Sequence, residues 1–292
     1  MFELKKIGIV KRASAGLLDL ILLAVLATGF MWIISLISGF DHKQDLAAQY
    51  YNDYYVQWEN FRKENLEDIA TNYGFTYEVN EEDDTYTLTK DNKTYSLDEV
   101  MDIFVHDVAK SEEMLAIYKK YEELTPYVIK MENQAQLVYN LTFMMISLGI
   151  LLAYLVLEFI LPIILKNGQT VGKKVFSICL VRPNCVKIAP IALFARTFLG
   201  KFAVETMFPV LLVFLFLFGG LGWISIILLA ALVILNAVLF FVTKNRTPIH
   251  DIFASTVAVD MKLQMIYASE EELNEKKSVQ HKEYVENSKE EL

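Results

Sequence analysis

The sequence predicts an all-α polytopic membrane protein with four transmembrane helices, both termini inside, and an inserted α+β extracytoplasmic domain. Hydrophobic residues make up 54% of the 292 residues and charged residues 22%, and the mean hydropathy is +0.33. This combination is rare in a soluble domain of that length. The apolar residues form a few near-continuous blocks, the charges lie between the blocks, and Lys and Arg concentrate in short connecting segments. The chain is therefore divided between lipid and water.

Four apolar blocks are long enough to cross a bilayer, because a helix that rises about 1.5 Å per residue needs roughly 20 residues for the hydrocarbon core. The second block contains Glu158, and the third contains Glu205 and Pro209. A glycine-rich turn separates the third block from the fourth. The predicted segments are the cytoplasmic N-terminus with transmembrane helix 1 (1–40), transmembrane helix 2 (137–165), and transmembrane helices 3 and 4 (202–242, divided into 202–218 and 221–242).

The distribution of Lys and Arg predicts the orientation. The connection 166–201 carries seven basic residues and no Asp or Glu, and the first fourteen residues of the chain carry four basic residues and one acid. Positive charge in short connections favours the cytoplasmic side. Segment 41–136 holds 22 acidic and 9 basic residues, a net charge of −13, and is predicted to lie outside. A count of four spans places both termini in the cytoplasm.

The extracytoplasmic insertion 41–136 is predicted to be a helix, a small β-sheet and a helix. The first helix continues transmembrane helix 1 and ends near Tyr73, and short alternating segments rich in Tyr follow it. Ser96 has the spacing of an N-cap that forms a capping box with Glu99. The second helix is expected to run toward transmembrane helix 2 with a kink at Pro126.

No pattern in the chain indicates an enzyme, a cofactor or a metal site. His106 and Asp107 are adjacent on a predicted helix, so their side chains point about 100° apart. The acidic run 81–84 lacks the spacing of an EF-hand loop. Cys179 and Cys185 have neither zinc nor redox spacing and are interpreted as ordinary thiols. We therefore expect no catalytic residues, no cofactor and no metal.

The basic cytoplasmic connection 166–201 is predicted to contain a strand and an interfacial helix. Segment 168–173 has too few residues between its glycines for a phosphate-binding loop. Residues 175–181 favour a strand, and residues 189–199 favour an amphipathic helix that includes Arg196. Such a helix would lie along the inner membrane surface, with its cations near anionic lipid headgroups.

Four short strings in register resemble the RDD family of bacterial membrane proteins. They are RASAGLLD at 12–19, GQTVGKK at 168–174, Arg196, and RTPIHDIFASTVAV at 246–259. The family is named for one arginine and two aspartates, and the resemblance places these on Arg12, Asp19 and Asp251. The motif also includes five further residues. They are Gly168, Gln169, Thr170, Gly172 and His250.

The resemblance covers residues 7–39 and about 137–260, so that 243–268 becomes an RDD-like C-terminal segment before a charged cytoplasmic tail, 269–292. The tail is expected to be mobile or to form a surface helix. The resemblance implies a multi-pass protein of the bacterial plasma membrane. It also implies transport as the proposed activity, including sodium–proton exchange for some members. The insertion 41–136 departs from the compact family pattern.

The same residues form a charge cluster at the predicted inner side of the bilayer. Arg12 and Asp19 are seven residues apart and share one helix face, where Ala15 and Gly16 allow another helix to approach closely. Acidic residues at the inner ends of the other spans are further candidates for an ion or proton site. The candidate acids are Asp19, Glu158, Glu205 and Asp251, and the charge partners are Arg12, Lys173 and Arg196.

Two interpretations of this cluster remain open. In the first, the charge pairs latch the helix ends together, because an unpaired charge at that depth is costly. In the second, the carboxylates line an inward-facing polar cavity and exchange protons or bind an ion. The outer halves of the spans offer few polar groups, with Ser225 and Asn236 of transmembrane helix 4 as exceptions.

The sequence thus predicts transport of an ion or small solute, with a membrane-anchored binding or scaffold protein as the alternative. The scaffold would act through the extracytoplasmic insertion, which takes up about a third of the chain. The expected partners are the lipid bilayer, anionic lipid headgroups at the basic inner face, an ion or small solute, and further copies of the chain in a homo-oligomer. No nucleic-acid partner is expected.

Overall fold

The structure is a computed structural model that is mostly helical, at 75% of the residues. It forms two compact units, a larger one made of Met1–Ile34 and Met144–Leu292 and a smaller one made of Ser35–Phe143. The residues that the structure describes are 4–5, 7–80, 85–106, 111–165, 168–218, 220–243 and 247–290.

Helices dominate both units, and five short strands form two sheets. The helices are α1 (Ile9–Ser38), α2 (Phe40–Asn72), α3 (Leu97–His106), α4 (Glu112–Glu122), α5 (Thr125–Tyr154), α6 (Leu161–Leu165), α7 (Val171–Val175), α8 (Pro190–Phe194), α9 (Phe208–Leu217), α10 (Trp223–Val242), α11 (Ile249–Phe253) and α12 (Glu270–Glu290). The strands are β1 (Thr76–Asn80), β2 (Thr85–Lys90), β3 (Lys93–Tyr95), β4 (Ile178–Val181) and β5 (Val257–Asp260). Two π-helical stretches, Leu155–Ile160 and Ala195–Met207, join α5 to α6 and α8 to α9.

Four helices within the described residues are long and apolar enough to cross a membrane. Much of their apolar surface is exposed, as at Ile37 and Trp223. Such a surface matches a hydrocarbon environment rather than water. The chain is therefore a mostly helical, multi-pass membrane protein, as predicted. The four spans are Ile9–Ser38, Glu112–Leu165, Pro190–Leu217 and Trp223–Val242.

The third span differs from its prediction. The sequence predicted a separate interfacial helix at 189–199 and a span that begins at Phe202. The structure instead has one helix from Pro190 to Leu217. The reason is that nothing between residues 199 and 202 stops a helix, and the π-helical stretch there keeps the chain helical while it shifts the register. Arg196 consequently lies within this helix rather than on a separate one and is only 2% exposed.

The strands β4 and β5 pair antiparallel, with Ile178 opposite Asp260 and Val181 opposite Val257. Both faces of the pair are buried, because Leu180 packs with Ala258 in one cluster while Cys179 and Val259 belong to another. The sequence predicted a strand within 175–181 but not its partner. This pair joins the connection before the third span to the segment after the fourth.

The smaller unit is built on α2, a three-stranded antiparallel sheet in the order β1-β2-β3, and the helices that follow. Gly39, in the left-handed conformation, separates α1 from α2, and Tyr73 caps the end of α2 as predicted. The capping box is confirmed, because the Ser96 backbone N–H donates to Glu99 and the Glu99 backbone N–H donates to the Ser96 hydroxyl. The core contains Phe61, Ile69, Ala70, Phe75, Leu88, Val100, Met101, Phe104, Met114, Ile117 and Leu124.

The prediction of a single helix that leads from the sheet to the second span is wrong. α3 ends at His106, and a new helix begins after the N-cap Ser111; this helix, Glu112–Leu165, is interrupted only at residues 123–124, just before Pro126 in the first turn of α5. A proline is tolerated in a first turn because its missing N–H would have no helical acceptor. The acidic run 81–84, Asp107, Lys166 and Gly219 lie outside the described residues.

The segments after β5 belong to the larger unit and pack within it. The tail forms α12, where Leu273 is buried with Cys185, Val186 and Tyr267. Cys179 and Cys185 are free and buried, and burial raises the pKa of the Cys179 thiol to about 12. An uncharged buried thiol is a poor nucleophile, which is consistent with the interpretation of these residues as ordinary thiols.

Candidate functional site

Asp19 of α1 anchors the GQTVGKK loop. Its carboxylate accepts hydrogen bonds from the Thr170 hydroxyl at 2.5 Å and from the Gly172 backbone N–H at 2.7 Å. Thr170 is also the N-cap of α7. Both oxygens of Asp19 are therefore occupied by groups of one short loop.

Glycine is required at position 172 because the loop runs directly against α1. A Cβ atom added to Gly172 would lie 2.2 Å from the Ala15 carbonyl oxygen and 2.8 Å from Asp19 Oδ1. The contact lies at the backbone of Ala15, so the missing side chain that permits it belongs to Gly172. Gly16 does not take part, since a Cβ atom added there meets nothing within 4 Å.

The other loop residues of the motif have structural contacts. Gly168 has a φ of +64°, and a Cβ atom there would lie 3.0 Å from Leu180. Gln169 donates its side-chain amide to the Ile178 carbonyl at 2.8 Å. These two residues fix the loop to β4 and do not reach the charge cluster.

Lys173 lies between two carboxylates from different spans. Its Nζ is 3.8 Å from Asp19 Oδ2 and 3.8 Å from Glu158 Oε2, and it donates to Thr170 Oγ1 at 3.1 Å. Burial, reinforced by the cations Lys201 and Arg196, lowers the pKa of Lys173 to about 7 even though the two carboxylates act in the opposite direction. This ammonium therefore titrates near neutral pH.

Glu158 lies in the π-helical stretch of the second span and is 5% exposed. Lys201 donates to its Oε1, while Arg196 Nη1 and Lys173 Nζ lie 3.7 and 3.8 Å from its Oε2. The Thr197 hydroxyl donates to the Glu158 backbone carbonyl, whose α-helical partner four residues on would be Pro162, which has no N–H. Three cations from two segments therefore surround one carboxylate.

Asp251 of α11 is the second centre of charge pairing and is 1% exposed. It accepts hydrogen bonds from Arg196 Nε at 2.8 Å, Arg12 Nη2 at 2.8 Å and the Thr256 hydroxyl at 3.0 Å. Burial alone would raise the pKa of Asp251, but Arg196, His250 and Arg12 outweigh burial and hold that pKa well below its ordinary range. Arg12 therefore pairs with Asp251, 239 positions later in the chain, and not with Asp19.

Glu205 of the third span pairs with His250. Its carboxylate accepts from the His250 backbone N–H at 3.1 Å and lies 2.7 Å from His250 Nδ1. Burial and Arg196 lower the pKa of His250, so the imidazole is neutral at pH 7 and donates through Nδ1. The third span and α11 approach each other closely here because Gly200 has no side chain. A Cβ atom on Gly200 would lie 2.5 Å from the His250 Cα.

These residues surround a cavity of about 320 Å³. Every predicted charged residue except Asp251 lines it, and Asp251 lies directly behind Arg12 and Arg196. The polar and charged lining residues are Arg12, Asp19, Tyr154, Glu158, Lys173, Arg196, Lys201, Glu205 and His250.

The structure combines the two interpretations of the cluster. The ion pairs connect α1, the second span, the third span and α11, as a latch would. The same side chains also form the wall of a cavity. Glu158 Oε2 and Arg196 Nη1 are buried without a hydrogen-bond partner among the described residues, although they lie only 3.7 Å apart. Native interiors rarely leave such atoms unpaired, so this part of the wall is not fully satisfied by the protein itself.

Sequence reasoning missed two members of the site. Lys201 was counted only as a positive charge of the connection, yet it is the direct partner of Glu158. Tyr154 was not considered, although it lies one helical turn before Glu158, a spacing that indicates a shared face. Its hydroxyl lies 2.8 Å from that of Thr206. Lys174, next to Lys173, is exposed and does not line the cavity.

The described residues contain no group of three or more His, Cys, Asp or Glu arranged to hold a metal ion. Asn236, one of the polar residues of the fourth span, accepts from the Ile249 backbone N–H at 3.2 Å and thereby supports α11. The site is thus a cavity walled by paired charges. Comparison of the chain with protein-family models, with curated proteins and with solved structures finds no match.

Proposed function

We propose that this chain is a bacterial plasma-membrane protein of the RDD type that transports an ion or a small solute through the charged cavity. The cavity carries the proposal, because five of its wall residues are the arginine, the aspartate and three other charged residues that the sequence placed at the inner ends of the spans. They are Arg12, Asp19, Glu158, Arg196 and Glu205. Charges at such depth are expensive and commonly mark a solute or ion path.

The size of the cavity supports a small solute. Pockets for small molecules begin at about 300 Å³, and this cavity has about 320 Å³. Each paired charge offsets part of the cost of removing its partner from water. The pairing therefore permits a water-filled recess within the apolar spans. With both termini in the cytoplasm, as the Lys and Arg distribution favours, the recess opens toward the inner side.

The arrangement of the ion pairs supports movement. Lys173 lies at equal distance from Asp19 and Glu158, and Arg196 contacts both Glu158 and Asp251. A solute that binds one member of such a shared ion pair changes which ion pair the remaining side chains favour. Because the pairs join three spans and α11, a change of partner in the cavity alters the contacts between helices.

Flux through proteoliposomes tests the proposal. Purified protein is reconstituted, and uptake of sodium, potassium, phosphate and succinate is followed together with the internal pH. We expect protein-dependent flux of at least one probe and its loss in Asp19→Asn, because the amide no longer attracts Lys173 and its NH₂ group faces the donors Thr170 and Gly172. Asp260→Asn is the matched control, since Asp260 pairs with Lys11 outside the cavity. Equal flux in Asp19→Asn and wild type, or flux no greater than in empty liposomes, contradicts the proposal.

A second function, partner binding by the smaller unit, is supported by one observation. This unit has its own hydrophobic core, which includes Leu88, Val100 and Phe104, each fully buried. A domain that packs its own core can serve as an independent binding module. If this is the main function, removal of residues 41–136 abolishes the cellular role while flux in proteoliposomes is unchanged. Loss of flux with a retained cellular role would contradict it.

A further inference from the structure

The carboxylates that line the cavity are already engaged by hydrogen-bond donors of the protein. Both oxygens of Asp19 accept hydrogen bonds from the GQTVGKK loop, and both oxygens of Glu205 accept from His250. Glu158 Oε1 accepts from Lys201. Only Glu158 Oε2 lacks a hydrogen bond within the described residues, and two cations lie within 4 Å of it. A bare metal cation would have to compete with these donors and cations for each carboxylate.

The cationic side chains, in contrast, retain unused donors. An ammonium group carries three N–H donors. Among the described residues, Lys173 Nζ makes one hydrogen bond, to Thr170, and Lys201 Nζ makes one, to Glu158. Arg196 Nη1 makes none within the described residues. All three residues line the same cavity. Three cationic side chains with spare donors therefore converge on the Glu158 end of the cavity.

Cations that converge at one end of a cavity favour a ligand that accepts hydrogen bonds. Carboxylate and phosphate groups accept several at once from Lys and Arg, and such charge-assisted bonds are stronger than neutral ones. We infer that the cavity binds a small oxyanion, through a carboxylate or phosphate group that contacts Lys173, Arg196 and Lys201. This inference rests on the proposed function and specifies its substrate class.

Lys173 gives the binding step a proton balance. An oxyanion beside this side chain stabilises its charged form, so that the fraction of Lys173 that is neutral in the empty cavity takes up a proton from the solvent as the anion enters. The added negative charge is then compensated in place, which lowers the cost of holding the anion away from water. The pKa of about 7 in the empty cavity puts this uptake in the physiological range.

Binding to the full-length protein in phosphatidylcholine nanodiscs tests the inference without any measurement of flux. Calorimetric titration with sodium phosphate and sodium acetate is compared with sodium chloride, and sodium and potassium chloride are compared with choline chloride. We expect binding of phosphate or acetate and about a tenfold loss of affinity in Lys201→Met, which removes one charge-assisted contact. Lys11→Met is the matched control, because Lys11 also pairs with an acid but does not line the cavity.

Glu158→Gln separates the two ligand classes by direction. Loss of this negative charge leaves oxyanion affinity equal or higher, whereas it abolishes the binding of a cation. Binding of sodium or potassium that Glu158→Gln removes overturns the inference, as does the absence of binding by both oxyanions. Because Lys201→Met and Glu158→Gln alter different side chains, misfolding of one variant leaves the other decisive.

The oxyanion can belong to a free solute or to a lipid headgroup. Nanodiscs of phosphatidylglycerol distinguish these sources, since retained phosphate binding there identifies a free solute and competitive loss identifies the headgroup. Either result supports oxyanion recognition. Oxyanion binding without flux would refute the transport proposal but not this inference, and flux of cations alone would do the reverse.

Discussion

The replacement Asp251→Asn tests whether the second charge centre holds the larger unit together. Asp251 is 1% exposed and is the shared acceptor of Arg12 and Arg196, both at 2.8 Å. Asparagine has nearly the same shape but no charge. The replacement therefore leaves two guanidinium groups next to a neutral amide with little change in packing.

The expected cost follows from these contacts. Removal of one partner from a buried ion pair costs about 3–5 kcal/mol. Glu158 lies 3.7 Å from Arg196 and still compensates part of that charge, and the amide oxygen retains one weaker hydrogen bond. We therefore expect a loss near the lower limit, about 3 kcal/mol, which corresponds to roughly a hundredfold change in the folding equilibrium. Asp260→Asn, which removes the charge from a partly exposed ion pair with Lys11, should cost at most about 1 kcal/mol.

The free energy of unfolding can be measured by SDS titration in mixed micelles, at neutral pH and in acid. The pKa of Asp251 in the folded protein lies below its ordinary value of 3.8, so its contribution to stability is fully present above about pH 4. That contribution is lost as the pH falls through the lower, folded value. The difference between wild type and Asp251→Asn should therefore shrink in acid. A loss no greater than that of Asp260→Asn would refute this account of the charge centre.

Three further predictions concern the loop, the proton and the smaller unit. Gly172→Ala should lower the free energy of unfolding in detergent by about 1–3 kcal/mol, because the added Cβ atom overlaps atoms of α1. Gly16→Ala should cost nothing, since that site is open. Equal melting temperatures of the two variants would contradict this prediction. Acetate affinity should fall up to tenfold per pH unit above pH 7, as protonation of Lys173 becomes costly, and Lys173→Arg, which stays charged, should abolish that slope; because acetate does not itself titrate in this range, an unchanged slope in calorimetry excludes Lys173 as the proton carrier. Ser96→Ala should destabilise the first turn of α3 by about 1 kcal/mol, detectable as faster amide hydrogen exchange in the full-length protein, with unchanged exchange as the contrary result.

The pH prediction involves every charged group around Lys173. Asp19 faces it from α1, Glu158 from the second span, and Arg196 and Lys201 from the third span. The two carboxylates favour the charged ammonium, whereas burial and the two cations disfavour it. An incoming oxyanion adds to the first group, so the pKa of Lys173 rises on binding and the proton is taken up.

The spans were predictable because the requirement for them is local. A stretch such as α10 is apolar along its whole length, and the length of a helix that crosses hydrocarbon depends on nothing distant in the chain. The capping box at Ser96 and Glu99 was predictable for the same reason, since both partners lie within one turn. The third span was not predictable in this way. Its π-helical start can be a surface helix or part of the span, and the burial of Arg196 decides between the two.

The composition of the site was largely predictable, because intramembrane charges stand out in an apolar sequence. Asp19, Glu158 and Glu205 were recognised as candidates from position alone, and all three line the cavity. The assignment of these strings to the RDD family stays a prediction, as does the orientation of the chain in the bilayer.

The pairing within the site was decided only by the tertiary structure. Arg12 and Asp19 share a helix face in the sequence, yet Arg12 bonds to Asp251, 239 positions away, and Asp19 bonds to the loop at Thr170. Hydropathy and charge count are sums over neighbouring residues, so they place a charge at a depth in the membrane. They do not specify which of several cations at that depth it meets, because that choice depends on how β4, β5 and α11 bring distant segments together. The sequence by itself determined the spans and the candidate charges, and the fold determined their partners and the charged cavity that the partners leave between them.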